Sequence, residues 1–178
     1  DKMPLVEIIT GKETSDETLA RAFDYVLQIN KTPIVVNDSR GFFTSRTFST
    51  YVGEGLNMVA EGIHPQLIES AALQAGMPVG PLAVQDEVSL SLSRKVTNQT
   101  RLDLQAEGSD LPVSPSEDVT NRMIDEFNRE GKAAGAGFYD YPAKGKKVLW
   151  PGLQEHFVKE GANISVTDIQ ERLLFRQA

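Results

Sequence analysis

One carboxylate and one hydroxyl group stand in sequence surroundings that could support chemistry. Glu7 lies inside the apolar, strand-like run PLVEII of residues 4–9, and burying a carboxylate is costly unless another group pairs with it. Glu7 is therefore expected to have a partner elsewhere. Ser45 lies in the segment GFFTSR of residues 41–46. It has no neighbouring His or Asp in sequence, so it lacks the activation that a nucleophilic serine needs.

The glycine-rich segments do not have the pattern of a dinucleotide-binding turn, which needs the spacing G-x-G-x-x-G between a strand and a helix. Gly53 and Gly55 lie inside a predicted helix, and this position favours a role in helix packing. Gly135 and Gly137 follow a helix and precede the residues FYD, which favours a turn at a helix C-terminus. We therefore expect no nucleotide-binding fingerprint within this sequence.

The remaining titratable residues give weaker signals. His64 and His156 are far apart and the sequence has no cysteine, so they predict capping or surface roles rather than a metal site. Asp86 and Glu87 could be paired carboxylates for acid–base chemistry, but adjacent residues on a helix point in different directions. That geometry favours a solvated helix face.

The elements that must position Glu7 and Ser45 change in character near residue 41. Residues 15–29 have helical periodicity behind a capping box and lie between strand-like residues 4–9 and 34–36, an order typical of the end of an α/β domain. Helical patterns then dominate, over residues 43–60, 65–75, 81–97 and 116–130. The predicted fold class is mainly α, preceded by one β-α-β unit.

Both ends of the sequence are expected to be cuts through a longer protein. The first strand begins almost at once, and the helical pattern that starts at Ser165 runs to the last residue without a terminating Gly or Pro. This last helix carries Ile169, Leu173 and Leu174 on one face. We expect that face to lack a partner within the chain and to favour self-association.

Composition excludes several classes of function. A net charge of -7, with lysines clustered only in residues 144–147, argues against nucleic acid as a partner. No apolar run approaches the length that spans a membrane. The absence of cysteine fits a reducing compartment.

Several segments, taken in order, resemble the 3-hydroxyacyl-CoA dehydrogenase part of multifunctional fatty-acid β-oxidation proteins. They are PLVEII, VVNDSRGFFTSR, LQAGMPVGPLAVQDEVSL and GKAAGAGFYDY. The sequence is most similar to the bacterial α-subunit type, in which an enoyl-CoA hydratase domain precedes the dehydrogenase. The resemblance implies that residues 1–40 are the C-terminal edge of an NAD-binding Rossmann domain. It likewise implies that residues 41–142 form the helical C-terminal domain, of the 6-phosphogluconate dehydrogenase C-terminal-like class, and that 143–178 are a linker and the start of a second helical repeat.

The resemblance also implies an activity, the NAD-dependent oxidation of a 3-hydroxyacyl-CoA to the 3-ketoacyl-CoA. In the family a histidine accepts the hydroxyl proton, and a glutamate aligned here with Glu7 orients that imidazole and stabilises its charged form. The histidine and the nucleotide loop are expected upstream of Asp1, so these residues alone are expected to be inactive. The family often has an asparagine where Ser45 stands. A hydroxyl keeps one donor there but lacks the second group of the amide. Glu7 and Ser45 are thus the candidate catalytic residues.

The implied partners are an acyl-CoA substrate, a thiolase subunit and a second copy bound through the helical domain, in the cytoplasm. We expect no nucleic acid partner and no membrane insertion. Two alternatives stay open: a non-catalytic helical assembly module, and another β-hydroxyacid dehydrogenase with the same architecture. Substitution of Glu7 separates the first from the proposed enzyme, and a substrate panel separates the second.

Overall fold

Residues 2–177 are described by a computed structural model, and the chain divides into two units, Asp1–Ser49 and Thr50–Ala178. The boundary falls inside one continuous helix, Thr44–Glu61. Each unit has its own secondary structure and is described by itself below.

The N-terminal unit pairs two parallel strands joined by one helix. Ser15 begins that helix, because its side chain accepts a hydrogen bond from the Thr18 amide at 3.2 Å and satisfies a donor that the first turn leaves free. The strands pair in parallel from Leu5 opposite Thr32 to Thr10 opposite Asn37. The elements are β1 (Leu5–Thr10), α1 (Asp16–Gln28) and β2 (Thr32–Asn37). The predicted β-α-β unit is therefore confirmed.

The second unit is almost entirely helical, as predicted. It contains most of α2 (Thr44–Glu61) and then α3 (Pro65–Gln74), α4 (Pro81–Val88), α5 (Leu90–Ala106), α6 (Pro115–Asp125), α7 (Gly152–Phe157) and α8 (Val166–Phe175). A 3-10 turn at Lys132–Ala134 leads into two short antiparallel strands, β3 (Tyr139–Asp140) and β4 (Val148–Leu149). The fold class predicted from sequence is confirmed.

One predicted helix is two helices in the structure. The pattern over residues 81–97 breaks at Ser89, whose φ of 74° lies in the left-handed region, and α5 then continues to Ala106. The backbone of Gly131 packs closely against this break, since a Cβ atom on Gly131 would lie 2.9 Å from the Asp86 carbonyl oxygen and 3.2 Å from Ser89 Cα. A tertiary approach of this kind leaves no mark in the hydrophobic period.

The core of the second unit contains three buried carboxylates beside its apolar residues. Glu54, Glu69 and Asp86 are 6%, 4% and 0% exposed, so each must be paired or hydrogen-bonded. The fully buried apolar side chains include Met58, Val59, Ile68, Ala71, Ala72, Leu82, Leu90, Met123, Phe138, Ile169 and Leu173. Within residues 2–177 no helix combines the length and the hydropathy needed to cross a bilayer.

The expectation of a bare apolar face on the last helix is wrong for two of its three residues. Ile169 and Leu173 of α8 are both 0% exposed, because α8 packs against α3 of the same chain. Leu174 is 43% exposed. Arg172 strengthens this docking, since its guanidinium donates to Glu54 and to both carboxylate oxygens of Glu61. Most of the apolar face that was expected to favour self-association is therefore buried within the chain itself.

Candidate functional site

Glu7 has its partner at the start of helix α2. Its Oε1 accepts hydrogen bonds from the backbone amides of Phe43 and Thr44, each at 2.9 Å, and its Oε2 accepts one from Thr44 Oγ1 at 2.8 Å. These amides lie at the N-terminal end of the helix, just before and at its first residue, where N–H groups lack intrahelical acceptors and negative charge is favourable. The half-buried Glu7 side chain thus links β1 to the N-terminus of α2 within one unit.

The hydrogen bonds keep Glu7 in its charged form. The Thr44 amide, then the Thr44 hydroxyl and then the Phe43 amide lower the pKa of Glu7 below its ordinary value, and partial burial opposes them. Two carboxylate oxygens offer about four acceptor positions, and three are used here. One acceptor position therefore remains on an ionised carboxylate.

Ser45 directly follows Thr44 in the first turn of α2, and its side chain is exposed. It is thus one residue away in sequence from the group that binds Glu7, and the structure brings the two candidate residues to the same helix end. The turn before them is tight: Gly41 and Phe42 have φ values of 76° and 45°. Glycine accepts such a conformation without cost, which explains Gly41 at this point.

The described residues do not form a dinucleotide cradle. The turn from β1 into α1 has one glycine, Gly11, and its polar groups are used locally: the Gly11 amide donates to Thr14 Oγ1 at 3.0 Å, and the Thr14 amide to the Gly11 carbonyl at 3.2 Å. Gly53 lies inside α2. Across residues 2–177 no group of three or more His, Cys, Asp or Glu side chains could hold a metal ion.

Asp86 is fully buried, so the interpretation of Asp86 and Glu87 as a solvated face is wrong for Asp86. Its Oδ1 accepts from the Phe138 amide at 2.8 Å, and its Oδ2 accepts from the Tyr139 amide and the Tyr141 hydroxyl, both at 2.9 Å. Burial raises the pKa of Asp86, and these three donors oppose the rise. The Asp86 carboxylate therefore anchors residues 137–141, the segment GFYDY, to α4.

Glu69 binds the backbone directly after residues 77–81, the segment MPVGP. Its Oε1 accepts from the Leu82 amide in the first turn of α4 at 2.8 Å, and its Oε2 accepts from the Tyr139 hydroxyl at 2.5 Å. A Cβ atom on Gly80 would overlap the Glu69 carboxylate, so only glycine leaves room for it. Burial raises the pKa of Glu69 above its ordinary value.

The burial of Glu69 and Asp86 and the contact of Thr44 with Glu7 were not predicted from the sequence. Asp86 lies four residues after Leu82 and four before Leu90, which are both buried, so helical spacing alone places it on the apolar face. The criterion that singled out Glu7, a charge among apolar neighbours, would have found it. Thr44 is 37 residues from Glu7, and no local pattern links them.

Comparison with known families matches the β-α-β segment and the helical segment that follows it to separate domains. Residues 41–141 match the family described as 3-hydroxyacyl-CoA dehydrogenase, C-terminal domain. The chain belongs to the 3-hydroxyacyl-CoA dehydrogenase family. Residues 1–39 match the companion NAD binding domain of the same family, so the β-α-β unit and the helical unit are assigned to two domains that this family combines.

Solved structures of 3-hydroxyacyl-CoA dehydrogenases are similar to the chain but longer. A 3-hydroxybutyryl-CoA dehydrogenase of Escherichia coli is 27% identical with a TM-score of 0.68, covering 83% of this chain and 30% of its own. An (S)-3-hydroxybutyryl-CoA dehydrogenase of Ralstonia eutropha is 28% identical with a TM-score of 0.66, covering 79% of this chain and 48% of its own. The chain thus spans less than half the length of these relatives.

A third structure has the same fold over almost the whole chain. The dehydrogenase part of multifunctional enzyme 1 from C. elegans is 24% identical with a TM-score of 0.70, and it covers 98% of this chain and 39% of its own. A structural alignment that covers 98% of the chain must include most of residues 142–177. These residues lie beyond the family match, which ends at residue 141. Helix α8 therefore has a counterpart in that fold.

Proposed function

We propose that this chain is part of an NAD-dependent 3-hydroxyacyl-CoA dehydrogenase that oxidises a 3-hydroxyacyl-CoA to the 3-ketoacyl-CoA. The observation that carries the proposal is the pair of family matches, over residues 1–39 and 41–141 in the order of the enzyme's two domains. The names of the Escherichia coli and Ralstonia eutropha relatives support an acyl-CoA substrate. We assign the contacts with NAD to polypeptide outside residues 2–177, because those residues lack a phosphate-binding turn.

In this proposal Glu7 orients a histidine supplied by the parent protein. The imidazole takes the proton of the substrate hydroxyl, and the ionised carboxylate of Glu7 stabilises the positive charge that the ring gains. The remaining acceptor position on Glu7 and its lowered pKa both support this role. Glu7 would therefore assist the proton transfer, and the N-terminal end of α2 would hold its carboxylate in place.

Ser45 is proposed to donate a hydrogen bond to a substrate oxygen. Its exposed hydroxyl, in the same helical turn as Thr44, can turn toward a bound molecule without losing an internal partner that the protein needs. A single donor polarises an oxygen less completely than a fixed pair of donors. We therefore propose a secondary role for Ser45 beside Glu7.

The wider setting is also a proposal. We propose a multifunctional β-oxidation protein of the cytoplasm, with an enoyl-CoA hydratase domain before the dehydrogenase and a thiolase subunit as partner. The proposed domain limits are residues 1–40, 41–142 and 143–178. The fold shared with the C. elegans dehydrogenase part over 98% of the chain supports the multifunctional architecture. Self-association through the helical unit is supported by the exposed Leu92, Val96 and Leu102 on α5.

A substrate panel tests the proposed function. The full-length protein is given NAD and either 3-hydroxyacyl-CoA esters of several chain lengths or the corresponding free 3-hydroxy acids, and formation of NADH is followed. The proposal expects oxidation of the CoA esters and little or none of the free acids. Preference for free acids would favour another β-hydroxyacid dehydrogenase, and no oxidation of either class would favour the assembly module.

A further inference from the structure

The Glu7 carboxylate is hydrogen-bonded by Thr44, a residue that was not singled out in the sequence. We propose that Thr44 is a positioning residue for the Glu7 carboxylate, using its hydroxyl to fix Oε2 and its amide to fix Oε1. This inference rests on the proposed function, because it concerns how Glu7 is held for the reaction. Thr44 itself need not touch the substrate.

Two different groups of Thr44 bind two different atoms of Glu7. The amide reaches Oε1 at 2.9 Å, and Oγ1 reaches Oε2 at 2.8 Å. The Phe43 amide adds a second bond to Oε1, also at 2.9 Å. A carboxylate held at both oxygens cannot rotate about its terminal bond without breaking one of these contacts. The direction of the remaining acceptor position is therefore fixed.

The hydroxyl has an effect that the backbone cannot replace. Any residue at position 44 other than proline would keep the amide bond to Oε1, but serine is the one other residue that would place a hydroxyl donor on Cβ to reach Oε2. Loss of that donor frees Oε2 and weakens the support of the charged form. Valine has the shape of threonine without the hydroxyl, and its substitution isolates this one contact.

The same helix offers a matched control one turn later. Thr47 donates from Oγ1 to the Phe43 carbonyl at 3.1 Å, a bond that turns back onto its own helix and does not reach Glu7. Thr47→Val therefore makes the same chemical change in the same helix. An effect of general helix weakening would appear in both variants, whereas an effect on Glu7 would appear only in Thr44→Val.

The experiment uses the full-length protein and two readouts. One is the titration of the Glu7 carboxyl carbon by NMR on protein with labelled glutamate, assigned with Glu7→Gln. The other is kcat and KM for a 3-hydroxyacyl-CoA ester. For Thr44→Val we expect the Glu7 pKa to move up toward its ordinary value and kcat to fall about tenfold, with KM changed less than about twofold. Thr44→Ser and Thr47→Val should both behave like the wild type.

Three results would overturn the inference. These are an unchanged Glu7 titration in Thr44→Val, an equal loss of kcat in Thr47→Val, and a failure of Thr44→Ser to recover activity. Failure of the proposed function looks different. In that case the wild type oxidises no 3-hydroxyacyl-CoA ester, while the NMR titration still reports whether Thr44 holds the carboxylate.

Discussion

The Asp86 carboxylate occupies the space into which a side chain at residue 137 would project. A Cβ atom built on Gly137 would overlap Asp86 Oδ1, and from this position the carboxylate reaches the amides of Phe138 and Tyr139 at 2.8 and 2.9 Å. The glycine of GFYDY is therefore needed for a close approach. The approach lets one buried carboxylate hold the start of β3.

Replacing Asp86 with Asn should destabilise the protein far more than replacing its neighbour. An amide presents one acceptor instead of two and places an NH₂ group against a donor, so at least one buried N–H or O–H loses its partner. We expect Asp86→Asn to lower the free energy of unfolding by about 2–3 kcal/mol. Glu87→Gln, which removes only an exposed ion pair with Lys132, should cost about 1 kcal/mol or less.

Urea unfolding of both variants checks this prediction. Equal stability losses for Asp86→Asn and Glu87→Gln would contradict the anchoring role of Asp86.

The two glycines of the segment GEG in α2 should respond to alanine in opposite directions. A Cβ atom on Gly55 would lie 2.5 Å from Pro81 Cβ, whereas nothing lies within 4 Å of one on Gly53. Gly55→Ala forces α2 away from α4 and should cost about 1–3 kcal/mol. Gly53→Ala should stabilise the helix by up to about 1 kcal/mol. Thermal unfolding measures both, and a stabilising Gly55→Ala would show that the close helix contact is absent.

Much of the fold could be predicted from local signals, while the contacts between distant carboxylates and amides could not. The start of α1 at Ser15 and the β-α-β order depend on a few adjacent residues, and the structure has both. The break at Ser89 lies against the backbone of Gly131, which is 42 residues away in sequence. Local propensity cannot reveal such a tertiary approach.

In the candidate site too, local sequence predicted one feature and tertiary packing determined another. The apolar neighbours of Glu7 correctly signalled that its carboxylate needs partners, but the partners found in the structure are helix amides and a hydroxyl near residue 44. Periodicity can mark a charge on an apolar face, as it does for Asp86. It cannot say which distant donors approach that charge, because this depends on how the helices pack.

Substitution of Arg172 should loosen α8. Its Nε donates to the buried Glu54 at 2.6 Å, and its two terminal nitrogens donate to Glu61 at 2.6 and 2.7 Å. Among residues 2–177, Arg172→Met leaves Glu54 with only a longer ion pair, to Arg176 at 3.6 Å. Because removing one partner strands a buried charge, we expect a loss of about 2–4 kcal/mol.

Hydrogen exchange of the α8 amides measures this loosening directly. Arg94→Met is the control, since the ion pair of Arg94 with Asp125 lies at the surface and should contribute about 1 kcal/mol or less. If α8 exchanges no faster in Arg172→Met than in Arg94→Met, the docking does not depend on this guanidinium.

The tyrosines of GFYDY should make the protein sensitive to alkali. Burial first, and then the neighbouring carboxylates, raise the pKa of Tyr139 and of Tyr141 above the ordinary value of 10.0. The folded state therefore keeps protons that the unfolded state releases, so stability falls as the pH rises past 10. Tyr141→Phe removes one of these groups and should flatten the decline above about pH 10. Parallel curves for the two proteins would contradict the raised pKa.

If Glu7 orients the imidazole of a 3-hydroxyacyl-CoA dehydrogenase, then kcat should depend strongly on its charge, and Glu7→Gln in the full-length protein measures that dependence. Glutamine keeps an acceptor for the α2 amides but loses the charge, so the fold should persist while kcat falls about 100-fold or more. Glu13→Gln, at an exposed glutamate in the turn after β1, should keep wild-type kcat. A Glu7→Gln enzyme with kcat within about twofold of the wild type would rule out this role for Glu7.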